Sequence, residues 1–266
     1  MGARQPAVAG MFYPIEQDVL RKFVTTSIDV SPNYGKKPTI IISPHAGYMY
    51  SGVSAAMAFK QLENLDKSIH YKVLLIGPSH RVYIDSASFS PDDAFVTPLG
   101  DIVIDEEEIN RLLKKFPNIL NNAMTHKLEH SLEVELPFLQ GVLGDFSLIP
   151  LIYGGVEIET LYEIMEEFLV DDSRICVISS DLSHYYSQDR AKELDSYCIK
   201  AVEELDLNAL SACEACGKGG IAAAIKYALK HNLKSKTLDY KTSGDVTGDI
   251  DRVVGYGSFM FYKEEQ

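Results

Sequence analysis

Three of the seven histidines follow closely on short apolar runs. Residues 39–43 lead into Pro44-His45-Ala46-Gly47-Tyr48, residues 73–77 into Pro78-Ser79-His80, and residues 175–179 into Ser180-Asp181-Leu182-Ser183-His184. An imidazole binds transition metals and changes charge near neutrality, so it can act as ligand, acid or base. A single histidine usually has a structural role, and His70 and His231, near helix ends in polar stretches, are read that way. Recurrence at three strand exits instead predicts one shared site. Cys216-Gly217 stands just before a helix expected from about residue 218. The amides and dipole of a helix N-terminus favour thiolate. A thiolate with two imidazoles suits zinc, iron or copper. The alternative for a cysteine is inert burial, the reading given to Cys176 inside a strand and Cys198 inside a helix.

Asp181 and His184 could form an acid–base pair, the carboxylate orienting the imidazole. The stretch Thr125-His126-Lys127-Leu128-Glu129-His130-Ser131-Leu132-Glu133 reads as a helix start with His130 and Glu133 on one face. It either lines the site, or Ser131 or Thr125 caps the helix with His130 in its first turn. Phe12, Tyr13 and Tyr48 are candidate recognition surface, with ordinary aromatic packing as the alternative. Cys213-Glu214-Ala215-Cys216 has dithiol spacing, but no second pair exists and the segment before it reads as helix, not strand. Ser79 lies beside His80 without a G-x-S-x-G elbow, and no P-loop or G-x-G-x-x-G follows a strand.

The elements that must position these groups are legible from periodicity. Residues 39–43, 73–77, 148–153 and 175–179 read as buried strands. Helical spacing covers 53–65, 106–115, 132–143, 158–168 and 190–205. Alternation of the two predicts crossover units and a largely parallel sheet covered on both faces. In such sheets ligands bind beyond the carboxyl ends of the strands, where the three histidines stand. A helix over 218–230 and strands over 236–241 and 253–262 predict an antiparallel edge, with a turn-rich loop over 243–249. No linker or repeat divides the chain, so residues 1–266 are read as a single α/β domain.

With 46% hydrophobic residues the chain has ample material for a core. A formal net charge of −13 disfavours nucleic acid and anionic membranes as partners. The acidic residues are spread along helices, as at 105–108 and 163–167, which is how a solvated surface is written. Four cysteines, at 176, 198, 213 and 216, predict no disulfide framework and fit a reducing, cytoplasmic setting. The N-terminus lacks an apolar signal core, and Pro6 stands where a myristoylation motif needs Ser or Thr. No apolar run approaches the roughly 20 residues that span a bilayer.

Taken in order, Pro44-His45-Ala46-Gly47-Tyr48, Gly77-Pro78-Ser79-His80, Glu129-His130-Ser131-Leu132-Glu133, Ser179-Ser180-Asp181-Leu182-Ser183-His184 and Cys216-Gly217 resemble the Memo family over roughly residues 10–259. The resemblance implies an αβα sandwich with a largely parallel or mixed central sheet, similar to the class III extradiol ring-cleavage dioxygenases. It implies a metal at positions matching His45, His80 and Cys216, with Asp181 and His184 matching the family's other site residues. Two departures matter. The ring-cleavage enzymes hold Fe(II) with two histidines and a carboxylate, whereas this chain offers a cysteine, so fold similarity alone does not carry their chemistry. Animal Memo has a tryptophan near its N-terminus implicated with phosphotyrosine peptides. This chain has no tryptophan and carries Met11-Phe12-Tyr13 there, which counts against phosphopeptide binding. In microbes the family is associated with an AMMECR-type protein and a radical SAM protein, which become expected partners.

The expectation is therefore a metal-dependent, oxidoreductase-like protein. His45, His80 and Cys216 hold one transition metal (iron, copper or zinc), Asp181 and His184 handle protons, and Tyr48, His130, Phe12 and Tyr13 contact a small molecule. The alternative is a non-catalytic module that holds a peptide, a small ligand or the metal itself in the same cleft.

Overall fold

In the computed structural model, which describes residues 2–264, the four apolar runs pair as the parallel centre of a nine-stranded mixed sheet. Their spatial order is Pro38–Ser43, Arg174–Ser179, Tyr71–Pro78 and Phe146–Tyr153. Val177 lies opposite Ile41 on one side and Leu75 on the other, and all three are buried. Continuous burial along strands of this kind requires cover on both faces. Each such side chain withdrawn from water contributes about 1.5–3 kcal/mol before entropy is counted. Arg174–Ser179 is last of the four in sequence yet lies between the strands that end at His45 and His80. The three histidine-bearing exits are thus immediate neighbours.

Val253–Tyr262 adds antiparallel to Pro38–Ser43 and carries Lys234–Thr242, the expected antiparallel edge. Its first residues also pair with His184–Tyr186. Ala87–Phe89 and Leu120–Asn121 extend the opposite side, and Ala3–Arg4, Ala94–Thr97 and Gly100–Val103 form a small second sheet. Helices Gln17–Val30, Tyr48–Lys60 and Leu136–Leu143 pack together, with Phe59 stacked on Phe138 at 5.3 Å. Their approach leaves no room at Gly52, where a Cβ would stand 2.7 Å from the Phe23 ring. Ile158–Phe168 packs against Lys218–His231 and against Glu106–Lys115, whose first turn is capped by the Asp105 carboxylate accepting from the Glu108 N–H.

Several boundaries differ from the sequence reading for local reasons. The helix expected from residue 53 begins at Tyr48, whose N–H donates to Phe12 O across 2.7 Å. Residues 133–135 form a 3₁₀ turn before Leu136–Leu143, so the expected helix 132–143 is two pieces. Ser243–Thr247 is a helical turn, not loop, because Thr242 and Asp245 form a capping box. The cysteine reading also needs correction: Cys198 and Cys213 are joined in a disulfide. The helix Gln188–Glu203 and the 3₁₀ turn Ala209–Ala212 fold back on each other and bring the two Cα atoms to 4.7 Å. No described helix is long and apolar enough to cross a membrane.

Candidate functional site

The exits are tied to one another through the backbone. Ser180 N–H donates to Ser43 O and His45 N–H to Asp181 Oδ1, each at 2.8 Å. The His45 ring is buried, with Nδ1 2.6 Å from Ser179 Oγ and Nε2 3.4 Å from Cys216 Sγ. His80 is fixed by Glu129, which takes its N–H at 2.6 Å through Oε2 and its Nδ1 at 2.9 Å through Oε1. With Nδ1 of both rings committed, both Nε2 atoms are left for the cleft. Cys216 is seated by its own N–H on Asp181 O at 3.2 Å and by the Asp181 N–H on its sulfur at 3.2 Å. Gly217 follows because the chain passes against Ser180: a Cβ there would stand 2.5 Å from Ser180 Cβ.

His45, His80 and Cys216 each offer a ligand atom, and these atoms lie within 4.8 Å of one another. Two donors on one tetrahedral ion with bonds of 2.0–2.3 Å are separated by about 3.5 Å, so the three need only close slightly to hold a metal. His80, Glu129 and His130 meet the same distance condition. There, however, the Glu129 oxygens already accept the N–H groups of His80, Arg81, His130 and Ser131. Glu129 therefore orients imidazoles and is not free to bind an ion. The His130 ring stacks on His80 at 4.7 Å and meets His45 edge-on at 5.5 Å. Its Nδ1 lies 3.2 Å from Glu129 Oε1 but off the hydrogen-bonding line.

Charge states follow from burial and these contacts. Burial, with His80 and His130 close by, holds His45 well below the ordinary histidine range, so the ring is neutral and fit to coordinate. Burial raises Glu129, but the imidazoles of His130 and His80 and the amides around it outweigh that and keep it an anion. Cys216 departs from the sequence expectation. Burial and then the Asp181 carboxylate push its thiol up to about 12, overriding the amides at the helix start. Burial likewise raises Asp181, with His184 pulling it back.

The remaining sequence-selected residues divide. His184, on the edge strand, is close enough for its charge to act on both Asp181 and His45, although no hydrogen bond joins it to Asp181 among the described residues. Phe12 packs on the His130 ring at 4.9 Å and walls the cleft. Tyr48 is buried among Tyr13, Phe23 and Phe138 with its hydroxyl donating to Val134 O, and Tyr13 donates to Glu133 Oε1. Both take the packing alternative. His130 and Glu133 do not share a helix face. His130 turns to the cleft, while Glu133 turns away to Arg4, Tyr13 and the amides of Ala7 and Val8. Ser131 caps no helix: its hydroxyl donates to Pro78 O at 2.9 Å. Cys213 is committed to Cys198, so the C-x-x-C pair is not a dithiol. Sequence reasoning gave no role to Glu129, Ser179 or Glu135; their one signal is a polar residue in an otherwise apolar neighbourhood.

Comparison with known proteins places the chain among relatives of one family. Residues 4–260 match the family model described as Memo-like protein. A MEMO1 family protein of Thermoplasma acidophilum is 38% identical, the match covering 97% of this chain and 98% of the relative. One from Aquifex aeolicus is 36% identical over 98% of this chain and 100% of the relative. One from Archaeoglobus fulgidus is 32% identical over 97% and 99%.

Proposed function

The chain belongs to the Memo family, and from that premise we propose that it is a metal-dependent oxidoreductase whose ion is held by His45, His80 and Cys216. The observation that carries this reading is the convergence of three ligand atoms within 4.8 Å while the other nitrogen of each histidine is committed elsewhere. Histidine ligands are oriented in this way through their second nitrogen in metal sites. The donor set suits a cation: a neutral buried imidazole and a buried sulfur stand beside the Asp181 carboxyl. Iron or copper held by these residues would supply redox chemistry, and zinc would supply a bound water with a pKa of about 7.

The chain's own residues divide the remaining work. Asp181 fixes the backbone of His45 and shares its charge with His184, which is the proton carrier. His130 and Phe12 form the wall against which a small molecule lies. An AMMECR-type protein and a radical SAM protein are the proposed partners. The test is dioxygen uptake with a panel of catechols after anaerobic loading with Fe(II), Cu or Zn. Uptake in wild type that falls at least about tenfold in His184→Ala is expected. Tight metal binding with no turnover under any metal would replace this reading with a metal-handling module.

A further inference from the structure

Three glutamates within seven residues are buried, and they are satisfied very differently. Glu129 accepts four amides and an imidazole contact. Glu133 accepts from the Arg4 guanidinium, two amides and the Tyr13 hydroxyl. Both are provisioned as anions. Glu135 is fully buried, makes no ion pair among the described residues, and its Oε2 has no partner. Its Oε1 lies 3.1 Å from Ser179 Oγ, and Ser43 is its other hydroxyl neighbour. The titratable groups facing it are Asp181, a like charge, the Tyr48 hydroxyl and, beyond Ser179, His45.

Ser179 decides the matter by counting. A hydroxyl has one hydrogen and two acceptor positions. Three groups surround this one: Ser131 O at 2.5 Å, His45 Nδ1 at 2.6 Å and Glu135 Oε1 at 3.1 Å. A backbone carbonyl can only accept, and it is the closest, so the Ser179 hydrogen goes to Ser131 O. The other two groups must then both donate.

We propose that Glu135 is a neutral carboxylic acid whose O–H donates to Ser179 Oγ, and that Glu135 and Ser179 together fix the proton of His45 on Nδ1, leaving Nε2 open towards Cys216. Burial beside Asp181 acts in the same direction, raising Glu135 well above the ordinary carboxylate range. An ionised Glu135 would claim the Ser179 hydrogen, strand Ser131 O and add a second buried anion beside Asp181. Glu135 is thus a positioning residue, acting on His45 through Ser179. Its consequence for a metal rests on the His45 ligand role proposed above; its consequence for the tautomer does not.

The test uses metal-free protein labelled with ¹⁵N-histidine. Wild type is expected to show His45 with Nδ1 protonated, and its infrared spectrum at neutral pH a protonated carboxyl stretch absent from Glu135→Gln. The Gln variant can still donate to Ser179, so it should keep the tautomer and hold metal within about threefold of wild type. Glu135→Leu should shift His45 towards the other tautomer and lose metal affinity by about 10- to 100-fold, the range for a group orienting a ligand. Ser179→Ala should behave like Glu135→Leu, which keeps the proposal testable if the Leu variant does not fold. No protonated carboxyl band in wild type, or an unchanged His45 tautomer in both Glu135→Leu and Ser179→Ala, would overturn it. Wild type that binds no metal while showing the expected tautomer would overturn the metal reading and leave this one standing.

Discussion

At Cys216 two local effects oppose each other. Its position before the helix Lys218–His231 favours thiolate, while burial and the neighbouring Asp181 favour thiol, and the second pair prevails. The balance turns only when a cation enters the cluster, which is why a ligand role predicts a sharp difference between the two cysteines of the C-x-x-C. Cys216→Ser should weaken metal affinity by about tenfold or more, and Cys213→Ser should leave it within about threefold. Cys213→Ser should instead lower the melting temperature, because the disulfide to Cys198 spans 15 residues and closing a loop of that size contributes about 3 kcal/mol at most. Equal loss of affinity in the two variants, read by chelator competition, would remove Cys216 as the third ligand.

Among the elements, the edge strand His184–Tyr186 carries a strained residue. Tyr185 has φ +66° at a bulge between His184 and Tyr186, and its exposed ring lies 5.4 Å from the Arg252 guanidinium. A left-handed backbone costs a non-glycine residue about 1–2 kcal/mol. Glycine would relieve that cost but forfeit a ring contact worth about 0.5–1 kcal/mol, so Tyr185→Gly should shift stability by less than about 1 kcal/mol. Tyr185→Val, β-branched in the same conformation, should cost about 1–3 kcal/mol. Urea unfolding of the two variants measures this, and a Val variant as stable as wild type would mean that the backbone is not held there. The elements show what sequence can and cannot carry. The parallel strands were legible because both faces are covered, which writes Ile40 to Ile42 and Val73 to Ile76 as unbroken apolar runs. The rule for strand exits brought His45 and His80 together, whereas Cys216, which precedes the helix Lys218–His231, entered the set through its place at a helix start and the family resemblance. Glu129, Ser179 and Glu135 were not legible as site residues, since their partners lie 49, 134 and 44 residues away in the chain. The disulfide depended on a turn between two helical pieces that has no strong sequence signal.

Across the whole molecule, the sheet separates chemistry at one end from an ion-pair cluster at the other. Glu108 is buried and accepts from Arg111 and from Arg174, the first residue of Arg174–Ser179. Burial raises Glu108, but the two guanidiniums outweigh it and hold the carboxyl below its ordinary value of 4.5. A lowered carboxylate contributes stability that is present above the unfolded value and is lost as pH falls through the folded one. Glu108→Gln should therefore be less stable than wild type by about 1–3 kcal/mol at pH 7, with the gap closing below about pH 4.5. Metal affinity should not change, because the cluster lies at the opposite strand ends. A gap that stays constant from neutral to acid pH would show that the carboxylate charge is not what Glu108 contributes.

The most direct test of the central claim is elemental analysis of wild type, His45→Ala and His80→Ala, each reconstituted anaerobically with Fe(II), Cu or Zn and passed through gel filtration. One set of ligands at His45, His80 and Cys216 predicts one metal per wild-type chain for at least one of the three ions. The same ion should fall to background in both variants, each still folded by circular dichroism. Stoichiometric metal retained by folded His45→Ala would contradict the account.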